Sequence, residues 1–170
     1  MLKTIGTFEF SLQQRERFKS AELWREWSKQ YPDIFDEQDI GIAEHQAPPP
    51  MGYHFFEWLA AILLHHSIGY LSLLEQYEFR VQKRKQAILQ KLVSPALFEL
   101  ITNHHESYGG TQCPDLLVYA PDLSDWFFCE VKGSGDELTD SQARFFEALA
   151  NVSQKEIGVV RFQQAQLIRA

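Results

Sequence analysis

Two short apolar runs in the second half of the chain carry their charges at one shared end, and this pattern constrains the fold more than any other. The first run follows Asp115, and the second leads into Glu130 and Lys132. A turn-forming cluster at 121–125 separates the runs, which predicts a β-hairpin. The start of one hairpin strand lies beside the end of its partner, so Asp115 and Glu130 become neighbours although 14 residues separate them. Glu130 and Lys132 are two residues apart and therefore share one face of the strand.

The rest of the chain is predicted to place helices before this hairpin, and one helix and one strand after it. Apolar periodicity and the flanking Gly and Pro residues predict these elements. The fold class that we expect is α/β or α+β, with a small mixed sheet flanked by helices and preceded by a helical block. The predicted helices span about 12–29, 36–44, 54–66, 71–93, 95–105 and 139–151, and the last strand spans 157–162.

Three consecutive prolines, Pro48 to Pro50, predict a boundary within the chain. They cannot continue a helix and favour extended backbone. We therefore expect residues 1–50 to form an N-terminal helical extension that ends in a proline linker, and residues 51–170 to form the domain with the site. A chain of 170 residues is long enough for one domain with such an extension.

Cysteine usage and hydropathy indicate the cellular setting. Cys113 and Cys129 are too few for a disulfide framework and lack the partners of a structural zinc site. No apolar signal region follows the first residues, and the longest apolar stretch, 58–64, is too short to span a bilayer. We expect a cytoplasmic protein without a membrane partner.

Two carboxylates and a lysine at one sheet edge indicate metal-assisted chemistry. Adjacent like charges repel, and a divalent cation removes that repulsion. Mg²⁺ and Mn²⁺ prefer oxygen ligands and often combine carboxylates with phosphate oxygens. A lysine beside such an ion can orient or activate a water, which phosphodiester hydrolysis requires. Asp115, Glu130 and Lys132 are therefore candidate catalytic residues, with Mg²⁺ or Mn²⁺ as the cofactor.

The residues around this set resemble a family of nucleases. Pro114-Asp115, followed by Glu130-Val131-Lys132, resembles the motif of the PD-(D/E)XK nuclease superfamily. A Lys-Gly-x-x-Asp-x-Leu pattern follows, and the next helix carries Gln142. With these residues the chain resembles the VRR-NUC (virus-type replication-repair nuclease) branch, and most of all the nuclease domain of the Fanconi-anaemia-associated nuclease. The resemblance is firm over 109–162 and weaker over 52–107.

This resemblance implies a restriction-endonuclease-like core that hydrolyses DNA phosphodiester bonds with a metal ion. It implies that Asp115 and Glu130 bind the metal, with the Val131 carbonyl as a third ligand, while Lys132 positions or activates the water. In the family, a glutamate from an upstream helix joins the metal site. Glu57 is the natural match, because it is the only acid in the predicted apolar helix 54–66.

Other interpretations of some of these residues stay open. Glu57 also suits a helix start, where an acid interacts favourably with the helix dipole, and Glu75 and Glu78 are competing upstream acids. Gln142 fits the active site, and it is also the fourth residue of a capping box. The family often has a basic residue where this chain has Glu137, which weakens the case for a phosphate contact from that loop.

One basic segment stands out in a chain whose net charge is −7. Residues 80–91 hold five basic side chains and no acid. By itself such a run favours a solvated helix face. The similarity to a basic helix of the Fanconi-type nuclease implies instead that Arg80, Arg84 and Lys85 contact DNA phosphates. The pair His104 and His105, at the end of a later predicted helix, is expected to act as a helix-terminal cation rather than in metal binding or acid–base catalysis.

Branched DNA, such as flaps or junctions, or duplex DNA is the partner that the resemblance implies. The 57 residues between Glu57 and Asp115 favour a monomer over the homodimer of the small viral members. Two alternative functions remain. One is an antibacterial nuclease toxin or effector with a cognate immunity protein, and the other is a catalytically inactive nucleic-acid-binding module. The protein partner that a toxin implies is an immunity protein, and the one that a repair nuclease implies is another repair protein.

Overall fold

A mixed β-sheet lies at the centre of the computed structural model, which describes residues 2–45 and 54–166. Within these ranges the sheet has five strands, β1 (Leu2–Phe10), β2 (Leu71–Leu74), β3 (Leu116–Tyr119), β4 (Trp126–Lys132) and β5 (Ile157–Gln164). The helices of the same ranges are α1 (Leu12–Lys19), α2 (Glu22–Gln30), α3 (Glu37–His45), α4 (Phe55–Ile68), α5 (Lys83–Leu92), α6 (Pro95–Asn103), α7 (His105–Tyr108) and α8 (Asp140–Ser153). The expected α/β class, with a small mixed sheet flanked by helices, is therefore confirmed. Among the described residues, none of the helices combines the length and the hydropathy of a membrane-spanning segment.

The predicted hairpin forms the middle of the sheet, and its register is the one expected. The strand order is β1-β5-β4-β3-β2. β3 and β4 are antiparallel, with Leu116 opposite Cys129 and Tyr119 opposite Trp126. β4 also pairs in parallel with β5, and this parallel pair needs a crossover, which contains α8. β4 is therefore an inner strand, and its charged end is surrounded by protein on both sides.

Two hydrophobic cores hold the sheet, one on each face. Alternation along β4 directs Cys129 and Val131 into the first core and Phe128 into the second. Aromatic side chains of α1, α2 and α4 fill the first core, where the rings of Phe18 and Phe55 lie 5.5 Å apart. Residues of α5, α6 and α8 cover the second core. Both faces of the sheet are thus covered by helices.

Two strands differ from the sequence expectation. The helix predicted over 71–93 is wrong in its first part, because residues 71–74 form β2 and the helix begins only at Lys83. This short apolar run pairs with β3, so sheet pairing prevails over the local pattern. β1 is the second unpredicted strand. The helix predicted over 12–29 is divided into α1 and α2 by Ala21, which has a positive φ of 66°.

The N-terminal region shares the sheet and the first core with the rest of the chain. β1 pairs in parallel with β5, from Leu2 opposite Ile157 to Phe10 opposite Gln164. A purely helical description of residues 1–50 is therefore wrong for residues 2–10. The segment Pro48 to Pro50 lies outside the described residues, so a domain boundary at this point stays a prediction.

A buried ion pair ties α3 to the end of β2. The Lys85 ammonium donates to Asp39 Oδ1 at 2.5 Å and to the carbonyls of Leu74 and Glu75 at 2.7 and 3.1 Å. The Lys85 side chain is fully buried. Burial raises the pKa of Asp39 to about 6, although the charge of Lys85 opposes this rise. The pair therefore fixes the backbone at Glu75, where the sheet carries its acidic residues.

Removal of this lysine is expected to destabilise the protein strongly. Lys85→Ala leaves the Asp39 carboxylate buried without its partner, which lowers the free energy of unfolding by about 3–5 kcal/mol. Urea denaturation followed by circular dichroism measures the loss. The exposed Lys83→Ala is the matched control, with an expected change below about 0.5 kcal/mol. A loss as small as that of the control would show that the ion pair does not hold α3 on the sheet.

Candidate active site

Three carboxylates lie in a row across the ends of β2, β3 and β4. The β2–β3 and β3–β4 registers, continued by one residue, place Asp115 between Glu75 and Glu130. The Glu75 N–H donates to the Asp115 carbonyl at 3.0 Å. The Asp115 N–H donates to Glu130 Oε2 at 3.4 Å. The structure therefore brings the two predicted carboxylates together and adds a third beside them.

The backbone of β4 holds the Asp115 side chain in place. The Val131 N–H donates to Asp115 Oδ2 at 2.8 Å. Burial raises the pKa of Asp115 well above its usual range, and the charges of Glu130 and Glu57 raise it further, while the hydrogen bond from Val131 opposes the rise. Ionisation of Asp115 at neutral pH is therefore favoured by a positive charge beside it.

Glu130 is the most buried carboxylate of the row and has two side-chain donors. Its side chain is 1% exposed, and its Oε1 lies 2.7 Å from Lys132 Nζ. Gln142 Nε2 donates to the same oxygen at 3.3 Å. Burial raises the pKa of Glu130, and the contact with Lys132 opposes this rise. Glu130 and Lys132 thus form an ion pair on one face of β4, as their spacing predicts.

Gln142 combines the two roles that the sequence left open. The Gln142 N–H donates to Thr139 Oγ1, and the Thr139 N–H donates to Gln142 Oε1, each at 3.1 Å. This reciprocal pair is the capping box at the start of α8. Because the capped side chain also donates to Glu130, the start of the helix holds one carboxylate of the row.

A second group of ligand atoms lies beside the row. One nitrogen or oxygen each of His54, Glu57 and Glu75 lies within 4.8 Å of the others. His54 Nδ1 contacts Glu75 Oε1, and Glu57 lies in the first turn of α4. Burial raises the pKa of Glu57 to about 7, the charge of Glu75 adds to this rise, and His54 opposes it.

Sequence reasoning missed two members of this second group. Glu75 counted only as a competing acid, because the helix predicted over 71–93 concealed its position at the end of a strand. His54, three residues before Glu57, marks only the start of the predicted helix 54–66 in the sequence. Within residues 2–45 and 54–166, this is the one group of three acidic, histidine or cysteine residues at metal-ligand spacing. The predicted set of Glu57, Asp115 and Glu130 is not drawn together to that distance.

The three residues predicted to contact DNA occupy different environments. Lys85 is a correction, because it is fully buried and its ammonium is bound by Asp39 and two carbonyls. Arg84 Nε donates to Asp36 Oδ2 at 2.7 Å, although its side chain remains 37% exposed. Arg80 is exposed and makes no ion pair with another described residue. Arg80 is therefore the member of this set that is best able to meet a phosphate.

His104 is a buried, neutral residue rather than a helix-terminal cation. Its Nε2 accepts the Gln112 N–H at 2.8 Å, so Nδ1 carries the proton and donates to the Ile101 carbonyl at 2.6 Å. Burial lowers its pKa, and its ring stacks on Phe145 with centroids 4.0 Å apart. His104 therefore anchors the loop that leads into Asp115.

An open cleft of about 430 Å³ borders the row of carboxylates. It gives a ligand access to the row from solvent. The side chains that line it are Glu75, Gln76, Glu78, Phe79, Thr111, Cys113, Pro114, Asp115 and Gln142.

The donor set of the site fits a divalent cation. Asp115, Glu130 and Glu57 have raised pKa values because they are buried, and neighbouring carboxylates raise those of Asp115 and Glu57 further. A bound cation would relieve this repulsion and keep the carboxylates ionised at neutral pH. Oxygen ligands of this kind suit Mg²⁺ and Mn²⁺, and Mn²⁺ also accepts an imidazole nitrogen. Lys132 stands beside the carboxylates as the cation that could act on water or phosphate.

Comparison with known proteins agrees with this chemistry. A family model described as "VRR-NUC domain" matches residues 57–161, a span that contains Glu57, the row of carboxylates and Gln142. Comparison with curated proteins finds no match. Among solved structures, the chain is similar to "paFAN1 bound to 2nt 5'flap DNA with gap" with 21% sequence identity and a TM-score of 0.39. That similarity covers 50% of this chain and only 16% of the other chain.

The metal-free protein is expected to lose stability as the pH rises from about 5 to 7. Glu57 ionises in the unfolded chain near its ordinary pKa of 4.5, but stays protonated in the fold up to about 7. The folded state therefore binds more protons in this window, and the free energy of unfolding falls as the pH rises. Glu57→Gln removes this ionisation and should exceed the wild type in stability at pH 8 by up to about 3 kcal/mol.

Urea denaturation in the presence of EDTA, repeated between pH 5 and 8, measures this dependence. Glu147→Gln is the control, because Glu147 is an exposed acid on α8, and it should follow the wild-type profile. Equal pH profiles for the wild type and Glu57→Gln would contradict a protonated Glu57 in the fold.

Proposed function

The chain belongs to the VRR-NUC domain family, and we propose that it hydrolyses DNA phosphodiester bonds with Mg²⁺ or Mn²⁺ at the ends of β3 and β4. The observation that carries this proposal is the pair of carboxylates, Asp115 and Glu130, with Lys132 beside it. Hydrogen bonds from backbone and side chains hold both carboxylates. The set is therefore preorganised, as catalysis at a metal-dependent site requires.

The proposed metal ligands are Asp115, Glu130 and the Val131 carbonyl, and Glu57 contributes directly or through a water. Glu130 and Val131 lie on β4, and Asp115 directly precedes the adjacent β3, so paired strands of one sheet position most of the set. An ion held by these residues would supply positive charge that polarises the phosphoryl group and lowers the pKa of a water. The Val131 N–H holds Asp115 by one oxygen and leaves the other oxygen for a ligand. We assign this arrangement to PD-(D/E)XK chemistry.

Lys132 is proposed to position the attacking water and to stabilise charge on the phosphate. Its side chain is 11% exposed, and Glu130 holds its ammonium at 2.7 Å. The ammonium is therefore fixed in place close to the metal ligands. A fixed positive group where charge develops on a phosphate oxygen lowers the barrier without any reorganisation during the reaction. Gln142 supports this role because it donates to the same Glu130 oxygen as Lys132.

Branched DNA, as flaps or junctions, is the proposed substrate, and a monomer is the proposed active form. Family membership supports a nuclease of replication and repair. A net charge of −7 gives the chain no general attraction to DNA. Contact with the phosphates therefore depends on the metal and on local cations such as Arg80.

Cleavage is expected to require both the metal and the Glu130–Lys132 pair. Glu130→Gln and Lys132→Met should each reduce the cleavage rate by about a hundredfold or more, because each removes a charged group that stabilises the transition state. The assay uses supercoiled plasmid and end-labelled flap, junction and duplex DNA, with Mg²⁺, Mn²⁺ or EDTA. Glu147→Gln, on the exposed face of α8, is the matched control and should retain full activity.

Two outcomes of this assay would contradict the proposal. Cleavage that persists in EDTA or in Glu130→Gln would place the activity outside this site. No cleavage of any substrate with either metal would favour the inactive nucleic-acid-binding module.

Arg80→Ala is expected to weaken DNA binding equally for all sequences, since a phosphate contact carries no sequence information. The slope of log K against log salt should fall by about 1. Fluorescence anisotropy with labelled flap DNA measures this slope in a Glu130→Gln background, which prevents cutting. Arg25→Ala is the control, because it removes an exposed arginine that belongs to α2 and not to the basic segment 80–91. The guanidinium of Arg25 lies 5.1 Å from the centroid of the Trp24 ring. Equal slopes for the two variants would show that Arg80 does not contact phosphate.

A further inference from the structure

His54, Glu57 and Glu75 form a compact ligand group with mixed nitrogen and oxygen donors. Their donor atoms lie within 4.8 Å of one another. The side chains of His54 and Glu75 are only 26% and 20% exposed. His54 directly precedes α4, Glu57 lies in the first turn of that helix, and Glu75 directly follows β2. The group therefore joins the start of a helix to the end of a strand.

The backbone that carries Glu75 is anchored on both sides. The Glu75 N–H donates to the Asp115 carbonyl at 3.0 Å, and the Glu75 carbonyl accepts from Lys85 Nζ at 3.1 Å. The other two ligands are held by α4, whose Phe55 and Trp58 are buried in the first core. Ligands carried by such rigid elements need little rearrangement to bind an ion.

The charge of this group is not balanced by the buried lysines of the region. Lys132 pairs with Glu130, and Lys85 pairs with Asp39. Within the group, two carboxylates face a single imidazole, which supplies at most one positive charge. The carboxylate of Asp115 also lies close enough to interact electrostatically with Glu57 and Glu75. A divalent cation is the ligand whose charge matches this surplus.

We propose that His54, Glu57 and Glu75 bind a second divalent cation next to the ion at Asp115 and Glu130, and that this second site selects Mn²⁺ over Mg²⁺. Mg²⁺ favours all-oxygen coordination, whereas imidazole nitrogen is a good ligand for transition-metal ions. The proposal rests on the proposed function through Glu57, which both sites share. Its test reads metal coordination, so that its failure can be separated from a failure to cleave DNA.

Electron spin-echo envelope modulation of Mn²⁺ bound to the full chain tests this site directly, because a coordinated imidazole nitrogen modulates the echo. His54→Asn is the decisive variant. The backbone of His54 has a positive φ of 69°, which asparagine tolerates, and asparagine lacks the imidazole. We expect nitrogen modulation in the wild type and none in His54→Asn. The Mn²⁺ affinity of the variant should fall by about tenfold or more, and its preference for Mn²⁺ over Mg²⁺ should fall with it.

Three further variants define the two sites. His66→Gln removes an exposed histidine of α4 and should keep the nitrogen modulation. Glu75→Gln preserves side-chain size and should lose one of two bound Mn²⁺ equivalents, counted from the signal of free Mn²⁺. Asp115→Asn should lose the other equivalent and keep the nitrogen modulation. Circular dichroism of each variant verifies that it is folded.

Bound Mn²⁺ without nitrogen modulation in the wild type would overturn the second site, as would modulation that persists in His54→Asn. If DNA cleavage continues in either case, the proposed nuclease function stands without the second site. A wild-type protein that neither binds Mn²⁺ nor cleaves DNA would overturn both proposals.

Discussion

The structure depends on holding several carboxylates together at one end of an inner strand. Buried like charges raise each other's pKa and oppose folding. Directed hydrogen bonds offset this repulsion, since the Val131 N–H donates to Asp115, and Lys132 and Gln142 donate to Glu130. All three donors lie on β4 or in the first turn of α8. The pairing of β4 with β3 and β5 therefore maintains the geometry of the acidic site.

The N-terminal region supports this site from a distance. α3 supplies Asp39, whose partner Lys85 also binds the backbone at the end of β2, where Glu75 begins. The basic segment 80–91 is consequently divided between two tasks. Lys85 stabilises the fold, while Arg80 remains at the surface for a phosphate. Charge in a sequence therefore identifies a possible contact with DNA only after burial has been determined.

The hairpin and its charged end could be predicted because turn residues and strict alternation are local properties. β2 could not be predicted, since a short apolar run suits a helix as well as a strand. The available edge of β3, with which β2 pairs, decides in favour of the strand. That error concealed Glu75 and, with it, the group around His54. The burial of Lys85 was equally hidden, because its partner Asp39 lies 46 residues away. Contacts between distant segments thus explain the differences in both fold and site.

The pairing of β1 with β5 also determines how this chain can fold during synthesis. β5 pairs with β1 on one edge and with β4 on the other, so both strands need β5 to complete their hydrogen bonds. Until β5 leaves the ribosome, the nascent chain exposes the edges of β1 and β4 that β5 covers in the fold, and such unpaired edges aggregate or bind chaperones. The hairpin with Asp115 and Glu130 is complete well before that point. The acidic residues of the hairpin are therefore assembled before the sheet is complete. The rate at which β5 pairs with β1 and β4 determines how long this incomplete state lasts.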